Sequence, residues 1–284
     1  MAITQELGPS LSRETRLLLP SDIDFQPVGQ RWNVHYPIEY AAIVDASSEE
    51  DVATAVKYAN SKSIPFLAFN GTHGAQLPLL NFKNGIGITT GAMKSLKINE
   101  ADGGKTAWIK GSWLSGHLRD ELFKLGKRTT MGSCDSTGII GPMLGGGHGF
   151  LQGQYGLLAD QIVELRVVLA DGSIVTVSEE ENKDLFWAMR GAGHNFGIVT
   201  AVRYKVYDVP KDDEWSHGMT VFKATQLEDL VPVFNGILKN QPAELAIWFP
   251  QFVKIPDFDP KNVSTHVFHR RFYLCNRSHR LTRQ

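Results

Sequence analysis

Two side chains with the chemistry to form covalent bonds, His73 and Cys134, stand in glycine-rich parts of the sequence. An imidazole nitrogen and a thiolate are nucleophiles, and a thiol close to backbone N–H donors is activated by a lowered pKa. His73 lies within the stretch 70–74, and Cys134 lies just before the glycine run that begins at Gly145. The sequence therefore offers two attachment points for a bound cofactor.

Three glycine-rich turns follow one another along the chain, at 70–74, 144–149 and 191–197. Glycine lets the backbone approach a phosphate closely and adopt positive φ, and clustered backbone N–H groups form an anion-binding concavity. A single turn of this kind is usually structural, but three in one domain favour a nucleotide. A nicotinamide dinucleotide on a Rossmann fold needs its glycine turn between a strand and a helix. Because the first and third turns do not stand in that order, the pattern favours a flavin nucleotide.

Hydrophobic periodicity predicts strands and helices in regular alternation around these turns. Residues 41–69 form a β-α-β unit whose helix is capped by Ser47 or Ser48. The pattern up to Val209 then predicts strands at 85–90 and 106–111, a helix at 113–125, a hairpin over 161–178, a helix at 180–190 and a strand at 197–209. Beyond Pro210 it predicts a second unit with a strand at 218–224, an amphipathic helix at 227–238 and a strand at 246–253. The mixture indicates the α+β class.

Composition describes an ordinary soluble chain of 284 residues, 42% hydrophobic and 21% charged, with a formal net charge of −1. It can bury a sizeable core, and no basic stripe points to nucleic acid or an anionic membrane. Only Cys134 and Cys275 are present, and His148 and His194 match no metal-binding spacing. No signal peptide or membrane span is predicted. We therefore expect a cytoplasmic protein with a small-molecule substrate and no metal, nucleic-acid or membrane partner; its oligomeric state stays open.

The order of these features resembles the FAD-linked oxidases of the vanillyl-alcohol-oxidase type, and within them the berberine-bridge-enzyme and oligosaccharide-oxidase branch. The resemblance covers roughly residues 30–210, and its most specific part runs from Cys134 to Asp160. It implies a two-subdomain PCMH-type FAD-binding domain followed by an incomplete α+β substrate domain. The stretches that carry it are Gly71-Thr72-His73-Gly74, Gly132-Ser133-Cys134 through Gly149, Tyr155-Gly156-Leu157-Leu158-Ala159-Asp160 and Gly193-His194-Asn195-Phe196-Gly197-Ile198-Val199-Thr200.

The resemblance also implies which residues contact the cofactor. In that family the first turn wraps the pyrophosphate, the second stretch lines the isoalloxazine, and backbone at the third turn helps to hold the adenine end. His73 occupies the position that bonds the flavin 8α-methyl group, and Cys134 the one that bonds C6. The FAD contacts expected on this basis are Asn70, Gly71, Thr72, His73, Gly74, Ser133, Cys134, Gly138, Gly145, Gly146, Gly147, His148, Tyr155, Gly156, Asp160, Gly197, Ile198 and Val199.

One departure concerns the first turn, where the family commonly has Arg-Ser-Gly-Gly-His. Here the stretch from Phe69 to His73 lacks the arginine and one glycine. The family pattern predicts that FAD binding at this turn survives the change.

The resemblance divides the chain into an N-terminal segment (1–30), the PCMH-type domain (31–210), the start of a truncated substrate domain (211–269) and a basic irregular tail (270–284). It implies an oxidase that transfers a hydride from an alcohol, sugar or secondary metabolite to flavin N5, with O2 as acceptor. The alternative is an FAD-binding fragment or inactive homologue that lacks most of the substrate domain. Because no return segment to the flavin is recognisable, no catalytic base is assigned.

Overall fold

The structure is a computed structural model, and it describes residues 2–34, 37–211, 213–247, 251–253 and 266–275. The chain divides into two compact units. The first comprises Met1–His148 and Leu157–Asp208, and the second comprises Gly149–Gly156 and Val209–Gln284. By this division, the N-terminal thirty residues fall within the first unit, and the eight residues after His148 fall within the second.

The secondary structure mixes short helices with strands throughout the described residues. The helices are α1 (Ala2–Glu6), α2 (Phe25–Gly29), α3 (Glu49–Ser61), α4 (Ser115–Lys124), α5 (Ile140–Leu144), α6 (Gln152–Tyr155), α7 (Lys183–Met189) and α8 (Leu227–Lys239). The strands of the first unit are β1 (Arg16–Leu18), β2 (Glu39–Asp45), β3 (Phe66–Ala68), β4 (Lys83–Thr89), β5 (Ser95–Ile98), β6 (Thr106–Lys110), β7 (Lys127–Arg128), β8 (Ile162–Val168), β9 (Ile174–Ser178), β10 (Ile198–Lys205) and β11 (Tyr207–Asp208).

Two larger sheets build the first unit, together with a two-stranded sheet in which β7 pairs antiparallel with β11. One has the strand order β1-β2-β4-β3, with parallel pairs between β2 and β4 and between β3 and β4, and an antiparallel edge strand β1. The other is antiparallel, with the order β5-β6-β10-β8-β9. A parallel sheet with its crossover helix beside an antiparallel sheet confirms the α+β class.

Helix α3 shows why the first sheet folds where the sequence pattern expects it. The Ser48 side chain accepts a hydrogen bond from the Asp51 backbone N–H at 3.1 Å, which caps the helix N-terminus. The buried Asp51 carboxylate accepts further hydrogen bonds from Ser12 and Thr15, so it ties the N-terminal residues to the helix. The apolar face packs under the sheet through Val52, Ala55, Val56 and Ala59, all of them fully buried.

The second sheet packs its inner face against α4, α5 and α7. Leu118, Leu122 and Met143 lie in this core, where each buried side chain stabilises the fold by roughly 1.5–3 kcal/mol. Tyr204 of β10 is fully buried, and its hydroxyl lies 2.9 Å from the Leu158 carbonyl oxygen and 3.0 Å from that of Thr130. The pKa of the Tyr204 phenol is raised well above its usual value by this burial. The tyrosine therefore fixes the segment that follows the second glycine turn.

The hairpin predicted over 161–178 is confirmed. β8 and β9 pair antiparallel from Glu164↔Ser178 to Val168↔Ile174. Gly172 at the turn has φ +76°, a conformation that favours glycine, and the Leu169 N–H donates to the Ser173 carbonyl at 2.9 Å.

The second unit contains β12 (Glu214–Lys223), β13 (Leu245–Ile247), β14 (Gln251–Val253) and β15 (His266–Cys275), together with α6 and α8. β15 pairs antiparallel with β12 over ten residue pairs and also with β13 and β14. The strand therefore continues into the segment from 270 that the sequence pattern described as irregular. Backbone pairing does not require apolar side chains, which explains why an arginine-containing stretch forms a strand here. Residues 276–284 of the expected tail lie outside the described residues. Within the described part of the chain, no helix is long and apolar enough to cross a membrane.

Candidate functional site

The first glycine turn follows β3 and is fixed by side chain to backbone hydrogen bonds. Thr72 adopts φ +51°, in the left-handed region that a β-branched residue rarely occupies. Its Oγ1 donates to the Gln30 carbonyl at 2.9 Å, and the Asn70 Nδ2 donates to the Trp113 carbonyl at 2.8 Å. The turn thus has a defined shape even though a threonine replaces a glycine of the family pattern.

A close backbone contact joins the first turn to the segment after Cys134. A Cβ added to Gly71 would lie 2.3 Å from the Gly138 nitrogen and 2.7 Å from the Ser136 carbonyl oxygen. A Cβ added to Gly138 would lie 2.7 Å from the Asn70 Nδ2. Only glycine at both positions allows this approach. We refer to this contact of Gly71 with Gly138 as the glycine junction.

The glycine junction brings His73 and Cys134 to a common partner. The His73 Nε2 lies 2.8 Å from the Ser136 Oγ, and the Cys134 Sγ lies 3.3 Å from the same oxygen. Two nucleophiles that are distant in sequence therefore share one hydroxyl group. This arrangement fits two attachment points on one cofactor.

The surroundings of the two nucleophiles affect their protonation. The half-buried His73 ring stacks on the Trp32 indole, with ring centroids 4.7 Å apart and planes at 12°. Burial lowers the pKa of His73 below its ordinary value, and a hydrogen bond with the Ser136 backbone opposes that change. The exposed Cys134 thiol has a lowered pKa because Ser136 and Thr137 hydrogen-bond to it. A neutral imidazole and a more acidic thiol are both closer to their nucleophilic forms.

A buried cation lies against the first turn. Arg31 is 8% exposed, and its guanidinium NH2 donates to the Gly74 carbonyl oxygen. Its buried Nε has no hydrogen-bond partner among the described residues, and neither has the buried Tyr40 hydroxyl. Burial raises the pKa of Tyr40 to about 12, and the positive charge of Arg31 opposes that rise. An unsatisfied buried donor is costly, so this guanidinium fits an anionic ligand at the turn.

The second and third glycine turns contact each other. Gly146 and Gly147 have φ values of +102° and +75°. Their carbonyl oxygens accept hydrogen bonds from Ala159 and Leu158, at 2.8 and 3.2 Å, which hold the turn closed. A Cβ on Gly145 would lie 3.4 Å from the His194 Cε1 of the third turn. The last two turns therefore form a second close contact within the first unit.

The third turn leads directly into β10. A Cβ on Gly197 would lie 2.5 Å from the Val167 Cγ1, so the turn needs glycine at this position. Ile198 and Val199 pair with β8, whereas the ladder of β10 with β6 begins only at Ala201. On the side that faces β6, the backbone of Ile198 and Val199 is therefore not paired in that ladder. This position supports a contact of their backbone with a ligand.

Helix α5 connects the two close contacts. It has five residues, so at a rise of 1.5 Å per residue it separates them by roughly 8 Å. The structure thus groups the expected residues at the two ends of α5. One end has Asn70, Gly71, Thr72, His73, Gly74, Cys134 and Gly138, and the other has Gly145, Gly146, Gly147 and the start of the third turn.

The remaining expected residues have other surroundings. The Asp160 carboxylate accepts a hydrogen bond from the Leu157 N–H at 2.8 Å and pairs with Arg190 at 3.5 Å. Ser133 is half-buried beside Cys134, and His148 ends the first part of the first unit. Tyr155 and Gly156 belong to the second unit, where Gly156 has φ +85°.

Sequence reasoning missed three residues of the site: Arg31, Trp32 and Ser136. Each acts across a long separation in sequence, which a local pattern does not reveal. The missing arginine of the first turn was the one available signal, since it implied that another cation could take its place. Arg31 is a buried cation that the structure brings to this turn.

A cavity with no expected cofactor residue lies elsewhere in the first unit. This groove of about 800 Å³ lies between the N-terminus of α3 and the polar face of the second sheet, and the Glu49–Arg166 ion pair at 2.8 Å lies on its wall. None of the residues expected to contact FAD line it. The candidate site is therefore the pair of close contacts at α5 and not this groove.

An α+β unit with three glycine turns and two nucleophiles at a close contact defines a flavin-binding oxidoreductase domain. Residues 40–178 match the FAD binding domain family, and the chain is similar over most of its length to proteins named FAD-linked oxidoreductases. The resemblance to the vanillyl-alcohol-oxidase type and to its berberine-bridge and oligosaccharide-oxidase branch is confirmed.

Two curated relatives have similar sequences. The FAD-linked oxidoreductase chry5 of Gibberella zeae is 40% identical over 269 residues, covering 89% of this chain and 52% of that protein. The FAD-linked oxidoreductase chyH of Penicillium rubens is 38% identical over 262 residues, covering 91% of this chain and 51% of that protein. The chain thus spans about half the length of the curated relatives that it matches.

Solved structures have the same fold. The 6-hydroxy-D-nicotine oxidase of Arthrobacter nicotinovorans superposes with a TM-score of 0.80 at 28% identity, covering 93% of this chain and 56% of that one. The BBE-like 1 protein of Physcomitrella patens gives 0.83 at 26% identity, covering 98% and 57%. The glucooligosaccharide oxidase of Acremonium strictum, described with a 6-S-cysteinyl, 8α-N1-histidyl FAD, gives 0.80 at 24% identity, covering 98% and 56%.

Proposed function

We propose that this chain holds FAD covalently through His73 and Cys134 and belongs to an oxidase that acts on an alcohol, a sugar or a secondary metabolite. The observation that carries the proposal is the shared Ser136 hydroxyl, 2.8 Å from the His73 Nε2 and 3.3 Å from the Cys134 Sγ. The relatives' classification as FAD-linked oxidoreductases supports the redox role.

The residues at α5 have distinct roles in this proposal. The glycine junction lets backbone approach the cofactor, and the buried Arg31 guanidinium supplies positive charge for the pyrophosphate. Because the His73 Nε2 is engaged by Ser136, its Nδ1 is the ring nitrogen left for attachment. The glucooligosaccharide oxidase, which is described with both a cysteinyl and a histidyl flavin bond, supports the pairing of these two residue types. The full set of proposed contacts is the eighteen residues inferred from the sequence.

The bound FAD would supply the redox chemistry by accepting a hydride from the substrate at N5, with O2 as the final acceptor. The chain's own contribution is to fix the ring position through two bonds and to keep the attachment side chains in their nucleophilic forms. The name of 6-hydroxy-D-nicotine oxidase, a neighbour with this fold, supports a small-molecule substrate. No residue of this chain is assigned as the catalytic base.

The test is a visible spectrum of the purified protein before and after acid precipitation. We expect the wild type and each single variant, His73→Ala and Cys134→Ala, to keep at least part of the yellow colour in the pellet, and only the double variant to release it completely. His117→Ala, at an exposed position of α4, is the matched control and keeps its colour. A colourless protein that FAD does not reconstitute would contradict the proposal.

The second candidate is FAD binding without turnover. It is favoured by the family match, which extends over residues 40–178. Anaerobic mixing of the flavin-loaded protein with a panel of alcohols and oligosaccharides separates the two candidates, because an oxidase bleaches its flavin absorbance with at least one substrate and regains it in air. Absence of bleaching across the panel, together with full flavin loading, supports the second candidate.

A further inference from the structure

The Ser136 hydroxyl lies in hydrogen-bond contact with both nucleophiles of the candidate site. Its Oγ is 2.8 Å from the His73 Nε2 and 3.3 Å from the Cys134 Sγ. A serine hydroxyl has one proton to donate and two lone pairs that accept. It can therefore donate to only one of the two neighbours at a time, and the choice at one neighbour dictates the choice at the other.

Two proton arrangements follow. When Cys134 is a thiol, its S–H donates to the Ser136 Oγ, the Ser136 O–H donates to the His73 Nε2, and the neutral ring has its proton on Nδ1. When Cys134 is a thiolate, the Ser136 O–H donates to sulfur and the His73 Nε2–H donates to the Ser136 Oγ. The neutral ring then has an unshared electron pair on Nδ1. Between the two, the thiol proton passes to Ser136, the Ser136 proton passes to Nε2, and the Nδ1 proton leaves to water.

We propose that Ser136 is a positioning residue that couples the two attachment side chains, so that ionisation of Cys134 sets His73 in the tautomer with a nucleophilic Nδ1. The inference rests on the proposed function, in which both side chains bond one flavin. It predicts that the two attachment points become reactive together. In this arrangement the Cys134 thiolate sets the tautomer of His73 through the Ser136 hydroxyl.

The surroundings hold this arrangement in place. Stacking on the Trp32 indole fixes the plane of the His73 ring, and the glycine junction fixes the backbone from the Ser136 carbonyl to Gly138. The charged groups around it are Asp135, whose carboxylate is paired with Arg119 of α4 at 2.6 Å, and Arg31 at the Gly74 carbonyl. Because Asp135 is paired, its repulsion of a thiolate at Cys134 is reduced.

The first experiment needs no flavin. In the apoprotein, with Cys275→Ala to leave one thiol, the rate of Cys134 alkylation by iodoacetamide is measured against pH. We expect Ser136→Ala to move the titration upward by about one pH unit, which slows alkylation near neutral pH by about tenfold. Ser136→Thr keeps the hydroxyl and restores the wild-type profile. Ser95→Ala, at an exposed position of β5, is the matched control and leaves the profile unchanged.

The second experiment observes His73 directly. Nitrogen-15 NMR of histidine-labelled apoprotein, with the His73 signals assigned by their loss in His73→Ala, reports which ring nitrogen has the proton. In the wild type the proton moves from Nδ1 to Nε2 over the pH range in which Cys134 ionises, and in Ser136→Ala and Cys134→Ala this movement is lost. A tautomer that ignores Cys134 in the wild type would overturn the coupling, even if alkylation were slowed in Ser136→Ala.

The third measurement separates this inference from the proposed function. Apoprotein is mixed with FAD, and bound flavin is measured by ultrafiltration and then after acid precipitation. We expect Ser136→Ala to bind FAD but to retain several-fold less in the acid pellet at neutral pH than the wild type. Failure of the wild type to bind FAD refutes the proposed function and leaves the two apoprotein tests intact. Equal covalent retention in Ser136→Ala and the wild type refutes the coupling alone.

Discussion

Replacement of Gly71 by alanine tests the glycine junction directly. The new Cβ would lie 2.3 Å from the Gly138 nitrogen, whereas ordinary contact begins near 3.4 Å, so the two backbones must separate by about 1.1 Å. Both contacting groups are backbone, which cannot rotate away as a side chain can. Overpacking of this kind costs roughly 1–3 kcal/mol, and we expect Gly71→Ala to lie at the upper end.

The consequence should be visible in both stability and flavin attachment. Because the contact between the His73 Nε2 and the Ser136 Oγ spans the glycine junction, a shift of 1 Å or so also breaks the bridge to Cys134. We therefore expect Gly71→Ala to lose about 3 kcal/mol of unfolding free energy in urea titrations and most of its acid-stable flavin.

Gly141→Ala supplies the matched control, since a Cβ added there meets no atom within 4 Å and the position lies inside α5. Alanine at such a helical position should stabilise the protein by about 0.5–1 kcal/mol. A Gly71→Ala variant as stable as the wild type, with full covalent flavin, would refute the view that these two segments need glycine to meet.

Three further predictions concern the frame around the site. Tyr204→Phe removes the buried hydroxyl that lies 2.9 Å from the Leu158 carbonyl, and it should cost about 1–2 kcal/mol in urea unfolding. Because the pKa of Tyr204 is raised in the folded protein, its contribution to stability falls as pH rises above about 10. The variant should therefore lose less stability than the wild type in alkali. Burial raises the pKa of Asp51, but the hydrogen bonds to its carboxylate outweigh burial and leave the pKa lowered. The stability that this carboxylate contributes is therefore lost as pH falls below about 4. In Asp51→Asn, the urea midpoint should change less with pH in this acidic range. A double-mutant cycle on Glu49 and Arg166, paired at 2.8 Å and partly exposed, should give a coupling of about 0.5–1 kcal/mol that weakens in salt; a coupling that does not change with salt would contradict an ionic origin.

Local pattern was sufficient for several elements of the fold. The Ser48 cap with its acidic first turn places α3 at its predicted start, and Gly172 places the hairpin turn. Other elements depend on distant partners. Arg16–Leu18 becomes a strand because it pairs with Ile43–Asp45, and β15 becomes a strand because it pairs with β12. Neither partner is visible from the hydrophobic periodicity of the segment itself.

The residues of the candidate site also divide into those that a local pattern predicts and those that depend on a distant partner. The family resemblance predicted His73, Cys134 and the glycine turns as cofactor contacts, because each stands at a recognisable position in a local motif. It did not identify Ser136, whose importance comes from where its hydroxyl lies. Nor did the sequence indicate that Thr72 takes positive φ, since a β-branched residue disfavours it and the hydrogen bond that offsets the strain reaches the distant Gln30.

The contact between His73 and Ser136 joins residues that are 63 positions apart in sequence. Closing a loop of that length costs about 4 kcal/mol of chain entropy. The contact therefore forms only once the packing of the sheets on either side offsets that cost. Attachment at this site therefore requires a chain that has already folded, and under the proposed chemistry the bond then survives later unfolding. The flavin absorbance that stays with a denatured sample would therefore measure the fraction of molecules that had folded at least once.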